Sequence, residues 1–363
     1  MPFTETFWLA SFKWRQRVLS ALLDAMARIG EFTPDLRAAR HDVEVLRDIA
    51  YGPHPTEHLL DIYRPRDIPR PLPIMLYIHG GGFVLCSKET HRGLALINAQ
   101  RAGYLVFNIN YRLAPEHPYP AAIADACAAY RWVVRNAERY GGDPTRIVIA
   151  GESAGGNLAL GVAIACCYPR PEPWAHGLFE LVPPRGVMPL MPYLQVTEPW
   201  RRCAESRALG RWTRGALYEI SRAYLGGLPH ASPETLMADP IRVLEEGGPP
   251  HRAFPKVFAA AGTADLCCSD VRRLEAACRR LHVPLQVSYF PDEGHGFHAL
   301  QWRNAARRLW RRSLVFLQRV QVQEQMVQRR HEPTARAPWW AFPLRSSTWP
   351  VAILRRPGVF KRP

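Results

Sequence analysis

Two hydrophobic periods alternate along this chain. "VEVLRDIAYG" and "HLLDIYRP" mix apolar and polar positions at a strand-like spacing and predict two strands joined by a turn at Gly52-Pro53. "PIMLYIHGGGF" is instead a continuous apolar run that stops at glycines, the pattern of a central strand buried on both faces. "YLVFNINYR" repeats it. "AAIADACAAYRWVVRNAERYG" follows helical spacing and ends at Gly141. "RIVIAG" then predicts a strand, and "GNLALGVAIACC" a helix apolar nearly all round and therefore buried. Strands are predicted again at 256–262 and 285–290, with helices over 268–281 and about 300–323.

Strands that alternate with helices imply an α/β fold with a mostly parallel sheet covered on both faces. Two regions break the rhythm. Residues 1–44 read as helical, with Phe7, Trp8, Phe12, Trp14, Val18, Leu22 and Leu23 on apolar faces, and residues 195–240 give helix without a matching strand. Both are expected to form a helical cap over a catalytic domain spanning 45–320. Residues 321–363 are rich in Pro, Trp and Arg and show no period, which predicts a disordered basic tail. No run is long enough to span a membrane. The charges at Glu5, Lys13, Arg15 and Arg17 fit an amphipathic N-terminal helix better than a signal peptide.

The composition is that of a globular protein, 47% hydrophobic and 22% charged. A formal net charge of +15 raises the question of nucleic acid. The positive charge is scattered arginine, only four residues are lysine, and no nucleic-acid-binding signature is present, so no such partner is expected. The eight cysteines contain no C-x-x-C, which argues against a metal framework and for a reducing, cytoplasmic setting.

Candidate chemistry is concentrated at strand ends. Gly151-Glu152-Ser153-Ala154-Gly155 is a G-x-S-x-G sequence between a strand and a helix. That placement marks a sharp turn that lifts one hydroxyl above the sheet. His79-Gly80-Gly81-Gly82 follows a buried strand, where glycines let main-chain N–H groups approach a developing oxyanion. A serine nucleophile needs a base. His295, in "PDEGHGFHAL", is favoured over its neighbour His298 for its glycine-flanked loop. Asp265, in "AGTADLCCSD", is the favoured orienting carboxylate; Asp270 reads as a capping residue, while Asp292 and Glu293 stay open as alternatives.

These segments, with "NYRLAPEHPYPAAI" between them, resemble the hormone-sensitive lipase family of esterases, the bacterial type that carries HGGG. The resemblance covers roughly residues 45–320. It implies an α/β-hydrolase fold with a helical cap and hydrolysis of a small carboxylic ester without metal or cofactor. It assigns Ser153, Asp265 and His295 to catalysis and the N–H groups of Gly81, Gly82 and Ala154 to the oxyanion hole. His79, Gly80, Gly151 and Gly155 would be structural. Phe83 and a cap around Trp212 are expected to shape the acyl and alcohol pockets. Glu152 stands where the family usually has Asp or Thr, and the segment 178–194 is unusually rich in proline for its expected strand. Amide hydrolysis, a long-chain lipase and a non-catalytic receptor remain alternatives, and a homodimer is left open.

Overall fold

The computed structural model describes residues 11–22, 42–201, 211–229, 232–300 and 302–331, with backbone alone for 211–214 and 322–331. One sheet of eight strands organises the chain. They are β1 (Val43–Ala50), β2 (Leu59–Pro65), β3 (Leu72–Ile78), β4 (Leu105–Ile109), β5 (Gly142–Glu152), β6 (Gly186–Leu190), β7 (Lys256–Gly262) and β8 (Leu285–Phe290), in the spatial order β1-β2-β4-β3-β5-β6-β7-β8. β1 and β2 pair antiparallel, as do β2 and β4, and the remaining pairs are parallel. Every residue of β3, β4 and β6 is buried, which explains their unbroken apolar runs. β1 stands at an edge and keeps exposed positions.

The helices are α1 (residues 11–22), α2 (Arg92–Ala102), α3 (Ala121–Asn136), α4 (Ala154–Cys167), α5 (Arg211–Leu225), α6 (Pro240–Glu246), α7 (Cys268–Arg280) and α8 (Asn304–His331). All fourteen residues of α4 are buried, as its apolar sequence requires. The last helix starts later and runs further than the sequence pattern predicts. Phe7, Trp8 and the tail beyond 331 lie outside the described residues, as does the side chain of Trp212.

Chain order reverses direction across β3: β4 lies on one side of it and β5 on the other. Parallel sheets open a crevice at such a point, outside the carboxyl ends of the strands. The register Ile78↔Gly151 brings the glycine loop after β3 beside the turn after β5. At the far side, Gly262↔Phe290 brings the loop after β7 beside the loop after β8. The proline-rich segment does form the expected strand, with Pro189 opposite Gly151. Proline has no N–H for the ladder, and the register of β6 with β7 passes from Val187↔Val257 to Leu190↔Ala260 without a pair at Met188 or Pro189.

A buried cation anchors the antiparallel edge to the loop that follows the glycines. The Lys88 side chain is 2% exposed, with Nζ 2.8 Å from Asp48 Oδ1, 2.8 Å from Asp61 Oδ1 and 2.5 Å from Glu89 Oε1. Such a charge is tolerated inside a protein only because it is paired.

Candidate active site

Ser153 stands between β5 and α4, as the residue that caps α4, with φ +54° and ψ −117°. A non-glycine residue there is strained by about 1–3 kcal/mol, a cost the surrounding structure must offset. Three backbone bonds hold it. Its N–H donates to the Leu190 carbonyl at 3.0 Å, and its own carbonyl accepts from Tyr193 at 3.0 Å and Asn157 at 3.1 Å. The flanking glycines are required by contact with β3. A Cβ at Gly155 would lie 2.0 Å from the Ile78 carbonyl oxygen, and one at Gly151 would lie 2.6 Å from the same atom. Ala154 is the first residue of α4, so its N–H has no intrahelical acceptor and forms part of the helix's positive end.

The glycine loop runs against this turn. Gly81 has φ +110°, its carbonyl accepts from the Leu85 N–H at 3.0 Å, and a Cβ there would lie 2.1 Å from the Leu85 carbonyl oxygen. His79 stacks on Tyr111 with ring centroids 4.3 Å apart, and the Tyr111 hydroxyl donates to the His79 carbonyl at 3.0 Å. Its Nδ1 lies 2.7 Å from the Gly80 carbonyl, which only accepts, so that nitrogen carries the proton. Burial first, and then the nearby His91, pull the His79 pKa down to about 3. The segment after β4 is structural too: Arg112 pairs with Asp125 at 2.6 Å.

Glu152, for which the sequence offers no account, is the hub of this half. It is 6% exposed and accepts from the Gly80 N–H at 2.6 Å and from the Tyr77 hydroxyl at 2.6 Å. Its Oε1 is also 2.6 Å from His91 Nε2. Burial alone raises the Glu152 pKa, but His91, together with His298 and the Tyr77 hydroxyl, outweighs burial and holds the carboxyl at about 2. Burial likewise depresses His91, and Glu152 more than reverses it. The two form a buried ion pair behind the glycine loop.

On the other side, His295 Nδ1 lies 2.9 Å from Asp265 Oδ1. The same oxygen accepts from the Cys267 N–H at 2.7 Å. The Asp265 side chain is wholly shielded, while a third of the His295 side chain is exposed. The other carboxylates point elsewhere. Asp270 accepts from the Leu194 N–H at 2.7 Å, Asp292 is exposed, and Glu293 pairs with Arg303 at 3.2 Å. His298 is buried, and neither of its ring nitrogens has a hydrogen-bond partner among the described residues. Burial pulls its pKa down to about 4.

Ser153, Gly81, Gly82 and His295 line one cavity of about 650 Å³, walled in part by Leu217 and Ile220 of α5. Phe83 does not line it. That ring is fully buried and stacks on Tyr224 with centroids 3.8 Å apart. The glycine loop turns Phe83 inward to packing, and α5 supplies the apolar wall instead. Sequence reasoning missed His91, Tyr77 and Cys267, because no local pattern links them to the serine.

Residues 75–299 match the family described as alpha/beta hydrolase fold, and the chain belongs to that family. It is 49% identical over 102 residues to carboxylesterase NlhH of Mycobacterium tuberculosis, covering 28% of this chain and 32% of that one. Esterase LipI of the same organism is 40% identical over 162 residues, 40% of this chain and 50% of its own length. The matched part thus spans a third to a half of these relatives. Mouse hormone-sensitive lipase is 38% identical over 130 residues, 36% of this chain and 17% of that protein. Among solved structures, esterase LipW from Mycobacterium marinum superposes with a TM-score of 0.65 at 29% identity, covering 86% of this chain and 88% of that one.

Proposed function

We propose that the chain is a serine carboxylesterase acting on short- to medium-chain esters of small molecules. One observation carries this reading: the 2.9 Å contact between His295 Nδ1 and Asp265 Oδ1, in the cavity that also exposes the strained Ser153. In this reading Asp265 fixes the imidazole with its proton on Nδ1, so that Nε2 takes the Ser153 proton as Oγ attacks the ester carbonyl. The N–H groups of Gly81, Gly82 and Ala154 receive the oxyanion, and the resulting charge is stabilised where it develops. His295 then protonates the departing alcohol and activates water to release the acid. No metal or cofactor takes part in these steps.

Glu152 acts here through the loop: its bond to the Gly80 N–H sets the approach of the donors that follow. The apolar wall of Leu217 and Ile220 supports α5 as part of a cap. Segment α1 belongs to the same cover, since Gln16 Nε2 donates to the Val84 carbonyl at 2.6 Å and Arg15 pairs with Glu219 of α5 at 3.1 Å. No described helix is long and apolar enough to cross a membrane. The cytoplasm is our reading of the compartment, supported by the cysteine usage.

The deciding experiment is a panel of p-nitrophenyl esters from acetyl to palmitoyl, with Ser153→Ala as control. Turnover is expected to peak at short acyl chains and to vanish in the variant. A maximum at palmitoyl would make the protein a lipase, and full activity in Ser153→Ala would refute the nucleophile.

A further inference from the structure

We propose that Asp265, Cys267 and His295 form an inhibitory site for a soft divalent cation, zinc above all. One ligand atom from each residue, a carboxylate oxygen, the Cys267 sulfur and a ring nitrogen of His295, lie within 4.8 Å of one another. Cys267 is completely buried and Asp265 is 6% exposed, while His295 opens onto the cavity through which an ion would arrive. A second observation points to a ligand at the same place. Oδ2 of Asp265 is buried with no hydrogen-bond partner among the described residues. A buried acceptor left in that state costs free energy that coordination would recover.

The donor set has the right chemistry. Carboxylate, thiolate and imidazole are the three ligand types zinc takes, and a three-residue site leaves a fourth position for water. Zinc bonds of about 2.0–2.3 Å place the ligands of a tetrahedral site closer together than the full spread observed, so small side-chain rotations complete it. The charges also balance. The thiol releases one proton on binding, and the thiolate and carboxylate together neutralise the dication.

Capture of the metal disables the base by a tautomer shift. Zinc on Nδ1 displaces the hydrogen bond to Asp265 and moves the ring proton to Nε2. That nitrogen then donates and cannot accept a proton from Ser153. Zinc on Nε2 blocks the same lone pair directly. The inhibitory half of this inference rests on the esterase reading, whereas the binding half does not.

Two measurements test it. Zinc added in chelator-free buffer is expected to suppress hydrolysis of p-nitrophenyl butyrate, with recovery on adding EDTA. In Cys267→Ala and Cys267→Ser, each compared with its own metal-free rate, the half-inhibiting concentration should rise by about 10–100-fold or more, the scale on which loss of even an outer-shell partner weakens a metal site. Independently of activity, cobalt(II) bound to Ser153→Ala should give a near-ultraviolet sulfur-to-cobalt absorption band that is absent when Cys267→Ser is added. Lack of that band, or equal zinc sensitivity in wild type and both cysteine variants, would overturn the site. An inactive wild type that still shows the band would retire the esterase reading and uphold the metal site.

Discussion

The carboxylate of Glu152 accepts the Gly80 N–H at 2.6 Å, so the residue before the serine holds the glycine loop that we propose supplies the oxyanion donors. With Tyr77 and His91 on the same carboxylate, three separate segments meet at one side chain. Glu152→Gln keeps the shape and removes the charge that pairs with His91. Breaking a buried pair from one side costs about 3–5 kcal/mol. Urea unfolding should report a loss of that order, and kcat should fall more than KM because the donors shift. Glu152→Asp should recover less than half of the loss, being too short to span all three partners. Wild-type stability in Glu152→Gln would show that the pair is idle.

Asp265→Asn should leave the fold intact and reduce kcat by about 10³–10⁴-fold, since the amide favours the wrong imidazole tautomer. The comparison is steady-state kinetics against Asp292→Asn, which should stay within a few-fold of wild type because Asp292 is exposed and does not reach His295. Equal effects of the two would reassign the carboxylate.

Acid should destabilise the protein from near neutrality. His298 and His79 have folded pKa values of about 4 and about 3, against an ordinary value of 6.5. Depressed histidines contribute stability that is full above 6.5 and is lost as pH falls toward their folded values. His91 runs the other way. Its raised pKa contributes stability below 6.5 that is lost as pH rises through its folded value. Glu152 contributes above about 4.5 and fades toward its folded value of about 2. The His298 term alone, at about 1.4 kcal/mol per pH unit, amounts to roughly 3 kcal/mol between pH 6.5 and 4. Unfolding free energy measured across that range should fall less steeply in His298→Phe. Parallel curves would refute the assignment.

Ile220→Ala should move the acyl-chain optimum toward longer esters, because Ile220 walls the cavity and stands 3.1 Å from where a Cβ on Gly82 would be. Ile220→Trp should do the opposite. An unchanged chain-length profile in both would place the acyl group elsewhere.

Deleting residues 325–363 should leave hydrolysis intact, since Met1–Gln323 is a compact unit by itself. Loss of most activity in the truncated chain would show that the tail completes the fold.

Local pattern carries much of the fold. β7 and β8 fall on the predicted residues 256–262 and 285–290, because apolar runs bounded by glycine and proline leave little choice of register. Strand order is different: nothing in "PIMLYI" says that β4 and β5 flank it. The site divides in the same way. Ser153, Gly81 and His295 sit in short motifs whose glycines announce them. The partners of Glu152 do not, since Tyr77 and His91 reach it only through the crossover that brings Ile78 opposite Gly151. Phe83 misleads because its position beside the glycines suggests a pocket, while its positive φ of 65° turns it toward Tyr224. Cys267 looks like one buried cysteine among several until the loop after β8 returns beside it.

The cation at Lys88 ties the edge hairpin to one wall of the cavity. Asp48 belongs to β1 and Asp61 to β2, yet both grip a lysine three residues ahead of His91, and Thr90, His91 and Arg92 face the cavity. The antiparallel strands therefore act as an outrigger for one bank of the reaction chamber. In the esterase we propose, drift in the hairpin's sequence would reach the ester through Lys88 and His91 without touching the serine.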